Sequence, residues 1–237
     1  MPNLSYQINP IGILRSPFKE KFGIPRQPGL INSVSAYVDL ITPYNIPDSV
    51  RGLDRFSHIW LSFKFHKNNA DWKPLVRPPR LGGNKKVGVF ASRSSFRPNS
   101  LGLSVVELRA ITNNNKQVSL EIACPDMING TPIYDIKPYI AYADSIPDAA
   151  SGFASTPPLK KFQVNFNHRS LHKLTLLDIE FGVALKSLII ESLEYDPRPA
   201  YKKAGDSKQY GITLYDFNIV WVVSGCLIEV IDIEKMN

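Results

Sequence analysis

Residues Leu101–Cys124 read LGLSVVELRAITNNNKQVSLEIAC. Two runs rich in aliphatic and β-branched residues, Leu101–Ile111 and Val118–Cys124, flank Asn113-Asn114-Asn115, and asparagine accepts the backbone angles of a tight reversal. The stretch predicts an antiparallel hairpin over Leu103–Ala123. Outward from it, segments of the same kind recur: Ile8–Arg15, Ser33–Leu40, His58–Phe65, Lys86–Ala91 and Thr131–Ile136. Val34, Ala36, Val38 and Leu40 share one face of their segment, and Ile59, Leu61, Phe63 and Phe65 share one face of theirs. Period-two alternation broken by Gly, Pro and Asn clusters is the pattern of an antiparallel sandwich or barrel. The barrel is the more economical form, because closure removes exposed sheet edges. The 19 prolines, clustered near segment ends, agree with short strands and shaped loops.

The pattern changes near Ala143–Pro158, which is rich in Ala, Ser, Asp and Pro and reads as a linker or wrapping arm. Beyond it, Leu171–Glu194 carries apolar residues at helical spacing, with Gly182 positioned to divide it into two helices. Tyr210–Val223 and Cys226–Ile233 alternate as a hairpin around Ser224-Gly225. The chain is therefore expected to be mainly β: an antiparallel β-barrel over 1–142, a linker over 143–158 and a smaller α+β C-terminal domain over 159–237.

Just upstream of the hairpin, Gly82–Glu107 reads GGNKKVGVFASRSSFRPNSLGLSVVE. A turn needs Gly, Asn or Pro for its shape, but it does not need Arg93 and Arg97. From Lys64 to Arg97 there are nine bases against one acid, a net +8, so the rest of this +7 chain carries −1. The basic character is local. Phe63, Phe65, Trp72, Phe90 and Phe96 are interleaved with it, and a basic stripe with aromatics is the footprint of a nucleic-acid surface. Phe63, Phe65 and Phe90 occupy apolar strand positions and are expected in the core.

Several chemistries are excluded by pattern. There is no GxxxxGK[ST] loop, no strand–GxGxxG–helix fingerprint and no G-x-S-x-G elbow. Gly82-Gly83 opens no helix and reads as a hairpin turn. His58, His66, His168 and His172 form no zinc set; the last two are four apart but lack a Glu or Cys partner, so no metal is expected. Cys124 and Cys226 lie in apolar runs and are expected to be buried thiols. With no signal pattern at the N-terminus and no long apolar run, the expected setting is the cytoplasm, with no membrane contact.

The remaining polar motifs occur together and in order: KEKFGIPRQPGL (Lys19–Leu30), RGLDRFSHIWLSFKFH (Arg51–His66), VRPPRLGG (Val76–Gly83), GVFASRSSFRPNSLGLS (Gly88–Ser104), NGTPIYDIKPYI (Asn129–Ile140) and DPRPAY (Asp196–Tyr201). In these the chain closely resembles the TsaA-like β-barrel family, specifically its bacterial TrmO tRNA methyltransferases, from about Tyr6 to Trp221. The resemblance implies an S-adenosylmethionine-dependent enzyme without a Rossmann fold. Its implied substrate is tRNA bearing threonylcarbamoyl-adenosine beside the anticodon, methylated on the exocyclic nitrogen, and its implied assembly is a homodimer with the cofactor near the subunit interface. By position it implies cofactor contacts from Pro25, Arg26 and Gln27, from His66 and Lys67, from Arg93 and Leu103, and from Asp135, Ile136, Lys137 and Pro138. Lys67 stands where the family often has another polar residue. Pro25 and Pro138 have a plainer reading as turn formers, and Leu103 as a core residue. Arg26 and Arg93 suit a carboxylate, which guanidinium binds bidentately.

The reaction so implied is an in-line displacement at a methyl carbon. The attacking nitrogen is delocalised into the purine and the carbamoyl group, so a proton acceptor is expected, with Asp135 as the candidate catalytic residue. For the RNA, Arg77, Arg80, Lys85 and Lys86 suit phosphates, and Arg97 suits the threonyl carboxylate. Arg198, Tyr201, Lys202 and Lys203 suit a second anchor, with Tyr201 available for stacking. Two other readings account for part of the pattern: a non-catalytic single-stranded nucleic-acid binder built on a barrel, and a methyltransferase with another substrate.

Overall fold

The computed structural model describes residues 5–68, 71–114, 117–181, 184–198 and 208–236, the side chains of 178–181 excepted. The barrel strands are β1 (Gly12–Arg15), β2 (Ser35–Leu40) and β3 (His58–Lys64). After a two-stranded ribbon of β4 (Leu75–Val76) and β5 (Val87–Gly88) come β6 (Leu101–Asn114), β7 (Gln117–Ala123) and β8 (Pro132–Pro138). Among the described residues six of these close into an all-antiparallel barrel in the order β1-β2-β7-β6-β3-β8. The hairpin expected around Asn113–Asn115 is β6–β7, with Asn114 opposite Gln117. Inward residues at every second position fill the barrel: Ala36, Val38, Leu40, Ile59, Leu61, Phe63, Val118, Leu120 and Ile122 are all buried. Alternation works here because neighbouring Cβ atoms on a strand point to opposite faces.

A short helix, α1 (Ala141–Asp144), follows β8, and an arm containing a helical turn at Gly152–Ala154 leads on to β9 (Gln163–Phe166). Helices α2 (His168–Phe181) and α3 (Leu185–Glu194) come next, then β10 (Tyr210–Leu214), β11 (Phe217–Ser224) and β12 (Leu227–Lys235). The two helices are as expected; Gly182, between them, lies outside the described residues. The second sheet runs β10-β11-β12-β9, with β9 parallel to β12. Among the described residues no helix is long and apolar enough to cross a membrane.

Four expectations change. Lys86–Ala91 is not a barrel strand: only Val87–Gly88 pairs, and a tight helical turn at Val89–Ala91 turns Phe90 outward to 74% exposure. Its alternation had no barrel edge to join, and Gly82-Gly83 lies within the β4–β5 connection. Tyr210–Val223 is two strands rather than one, broken at Tyr215-Asp216, where Tyr215 adopts φ 51°. Cys124 is buried as expected, whereas Cys226 is exposed in the β11–β12 turn. Leu103 points away from the barrel interior at 54% exposure, so it is not a core residue.

The second core is shared between the domains. Trp221, Ile212, Leu214, Ile228, Leu188 and Ile189 pack with Phe18, Ile31, Val34 and Cys124 from the barrel side. Phe18 forms a β-bridge with Leu214, and Tyr215 N–H donates to the Pro17 carbonyl at 2.7 Å. Gly23 adopts φ 90°, and a Cβ there would collide with the Ile212 side chain. Only glycine lets the chain pass so close. The C-terminal domain thus grips the loop between β1 and β2, and that loop carries Pro25-Arg26-Gln27.

Candidate functional site

Positioning begins with that grip. The Glu191 carboxylate on α3 accepts from the backbone N–H groups of Asn32 and Ser33, at 3.0 and 3.1 Å, and from Ser33 Oγ at 2.8 Å. Arg109 on β6 donates to the carbonyls of Val34 and Asn32. Glu20 Oε1 accepts from Thr213 N–H at 2.8 Å, and Lys67 Nζ donates to the Lys19 carbonyl at 3.1 Å. Each contact joins residues far apart in sequence, so the loop is held by both domains at once.

The loop so held forms one side of a cleft of about 450 Å³. Arg26 and Gln27 face Arg77, Arg80 and Arg93, with Phe96, Phe153 and Pro158 supplying apolar walls. A second recess of about 760 Å³ opens from it, sharing Gln27, Arg80, Arg93 and Phe153. Arg93 Nη1 donates to Gln27 Oε1 at 2.5 Å, linking two cofactor candidates 66 residues apart. Arg80 Nη2 donates to the Thr156 carbonyl at 2.6 Å, drawing the interdomain arm over the cleft. Residues expected to serve cofactor and RNA therefore meet in one place.

His66 and Lys67 line a smaller cavity of about 210 Å³ with Phe63, Phe65, Ser95 and Asp126. Ser95 lines the arginine cleft as well, so the two spaces adjoin. His66 Nδ1 is buried with no partner among the described residues. Burial, then the charge of Lys67, holds the His66 pKa below its ordinary value, which favours the neutral ring. Asp126 went unnoticed in the sequence, because a lone acid in a Cys-Pro-Asp turn carries no signal. Its Oδ1 accepts from Ser104 Oγ at 2.7 Å. Burial pushes the Asp126 carboxyl above the usual range, outweighing the Ser104 bond and the charge of Arg93.

Leu103 and Asp135 belong to a different surface. Ser62 on β3 is in register with Leu103 on one side and Asp135 on the other, so the three lie in a row on the outer face of the barrel. Ile136, Lys137 and Pro138 continue β8, and Lys137 lies 3.8 Å from the Asp135 carboxylate. Leu103 and Asp135 do not line the arginine cleft.

Two RNA candidates are engaged within the fold. The Arg97 guanidinium turns back on its own loop, donating to the carbonyls of Ser92 at 2.7 Å and Val89 at 3.3 Å. Arg198 is 3% exposed, paired with Asp196 at 2.8 Å and lying over the rings of Phe162 and Tyr210. Such a buried, paired guanidinium braces its own loop and is not presented on the described surface. Lys85 and Lys86 are exposed, as phosphate contacts require. Tyr201, Lys202 and Lys203 lie outside the described residues. Among the described residues no group of His, Cys, Asp and Glu is arranged to hold a metal.

The protein is thus a six-stranded barrel joined to a small α+β domain, with an arginine-lined cleft between barrel-side loops and the connecting arm. The tRNA-methyltransferase O N-terminal domain family matches residues 13–145, and the TrmO C-terminal domain family matches residues 159–236. The chain belongs to the TrmO family. It is 45% identical over 232 residues to the tRNA (adenine(37)-N6)-methyltransferase of Escherichia coli strain K12, covering 97% of this chain and 98% of that one. It is 39% identical to a putative S-adenosylmethionine-dependent methyltransferase, RcsF, of Pseudomonas aeruginosa, over 92% and 93% of the two chains. The crystal structure of TrmO from Pseudomonas aeruginosa superposes with a TM-score of 0.82 at 32% identity, over 98% and 99% of the chains.

Proposed function

We propose that this protein is a methyltransferase that uses S-adenosylmethionine to methylate the exocyclic N6 of adenosine 37 in tRNA, the adenosine carrying a threonylcarbamoyl group. The observation that carries the reading is the single cleft in which Arg26, Gln27 and Arg93 face Arg77 and Arg80. The names of the relatives support the reaction. The residues present fit the cofactor: Arg26 offers a bidentate donor for a carboxylate, Gln27 is held in place by Arg93, and His66 presents an unpartnered buried nitrogen beside an apolar cavity. When bound, S-adenosylmethionine supplies an electrophilic methyl group.

The chain's own residues then position the reactants. Holding nitrogen and methyl carbon in line recovers ~7–11 kcal/mol of a barrier otherwise set by encounter and orientation. The doubly anchored loop of Arg26 and Gln27 provides such rigidity. Asp135 is proposed as acceptor of the N6 proton. For Leu103 and Asp135 to border the same cofactor, the homodimer is proposed to bring this outer face of one copy against the cleft of the other. Lys85 and Lys86 are proposed to bind phosphates along the basic ribbon, and the work is proposed to take place in the cytoplasm.

The test is methyl transfer from labelled S-adenosylmethionine to paired tRNA samples, one carrying threonylcarbamoyl-adenosine and one lacking it, with nucleoside analysis of the product. Label in the first sample alone is expected. Label in neither, with cofactor and tRNA still bound, would move the function to another substrate or to RNA binding without catalysis. An Asp135→Asn enzyme that keeps normal turnover and cofactor affinity would remove Asp135 from the proton-acceptor role.

A further inference from the structure

The arginines in and beside the cleft are not equally committed. Arg93 donates to Gln27, Arg80 to the Thr156 carbonyl, and Arg97, just outside, to the carbonyls of Val89 and Ser92. Arg26 sits on the cofactor loop and is the donor assigned above to the cofactor's own carboxylate. Arg77 is left. It follows buried Val76 at the end of β4, lines the cleft, and has no hydrogen bond or ion pair within the described residues. Around it Pro78 and Pro79, Phe96 and Phe153 make walls that are apolar and in part flat.

A guanidinium with its fork free, set among aromatic and proline surfaces, fits a planar base bearing an anionic side chain. Backbone phosphate has the same affinity for arginine, and Arg77 is as exposed as Lys85 and Lys86; what sets it apart is that it shares the cleft lining with Pro78, Pro79, Phe96 and Phe153. Such a lining suits an anion delivered by the base itself, whose flat ring can lie against the aromatic and proline surfaces as a phosphate cannot. We propose that Arg77 determines substrate specificity by receiving the threonyl carboxylate of the modified adenosine, whose ring lies between Phe96 and Phe153. This takes over the role that Arg97, turned onto its own loop, does not fill, and it rests on the function proposed above.

The test compares tRNA bearing the free acid with the same tRNA whose threonyl carboxyl has been converted to a neutral methylamide. The wild type should prefer the acid in kcat/KM by on the order of 10–100-fold, the range of a charge-assisted bidentate contact. Arg77→Ala should lose that factor on the acid and nothing on the amide, so the preference vanishes, while Arg77→Lys restores part of it. Equal losses on both substrates with a shallower salt dependence would make Arg77 a phosphate contact and overturn the inference. Equal losses with a lowered Tm would make it structural and overturn it too, as would a wild type indifferent to the amide. A wild type that methylates neither tRNA would overturn the functional reading itself, an outcome visible before any variant is made.

Discussion

Gly102 on β6 lies opposite Phe63 on β3, and the Phe63 ring covers the space where a side chain at 102 would sit. A Cβ built there would overlap Cζ and Cε2 of the ring outright and stand 2.8 Å from Cε1. The ring has little freedom to yield. It is 3% exposed, meets Phe65 edge-on at 5.2 Å, and has Ile133 in register on the far strand. Its open direction is the cavity of about 210 Å³ that it shares with His66 and Asp126. Gly102→Ala should therefore act twice. Overpacking should cost about 1–3 kcal/mol, which for a chain of this size is a fall in Tm of roughly 2–12 °C. The displaced ring should also weaken S-adenosylmethionine binding, read by calorimetric titration. Phe63→Leu removes the ring, so the double variant should be no less stable than Phe63→Leu alone, a coupling of about 1–3 kcal/mol. Strictly additive single and double losses would refute the reasoning, as would a Gly102→Ala protein with unchanged Tm.

Arg198→Ala should destabilise by about 3–5 kcal/mol, because it strands the largely buried Asp196 carboxylate, and tRNA binding measured on protein still folded should keep its salt slope. A flattened slope with little change in Tm would restore Arg198 as an RNA contact. Lys85→Ala or Lys86→Ala should leave Tm unchanged and reduce the salt slope of tRNA binding by about 1 each, as expected for exposed phosphate contacts. An unchanged slope counts against that role. Asp126 has a raised folded-state pKa, so the stability it contributes is full below its unfolded pKa, about 3.9, and is lost as pH rises through the folded value. Asp126→Asn should consequently gain on the wild type in Tm from about pH 4 upward; a difference independent of pH would show that burial does not govern this group.

The barrel was legible in the sequence wherever a strand has two neighbours. In β2 and β3 each inward position is occupied by an apolar residue, and a slip of one residue would turn that whole set to solvent. The hairpin at Asn113–Asn115 and the two helices after the arm were legible for the same local reason, that periodicity reports a face. Phe90 shows the limit. Its segment alternates, yet β5 pairs for two residues only and then turns, because β4 is equally short and no barrel edge is offered.

The same division holds at the site. Sequence by itself determined which residue types stand in which loops, and so the cationic character of Lys64–Arg97 and the family motifs. Which cations remain free was decided by tertiary structure. Arg97 and Arg198 are as charged as Arg77, but carbonyls of Val89 and Ser92 occupy the first, and Asp196 with two aromatic rings occupies the second. The loop of Arg26 and Gln27, too, takes its position from α3 and β10, more than 150 residues away in the chain. A charge is a property of one residue, whereas its availability depends on every neighbour that the fold brings to it.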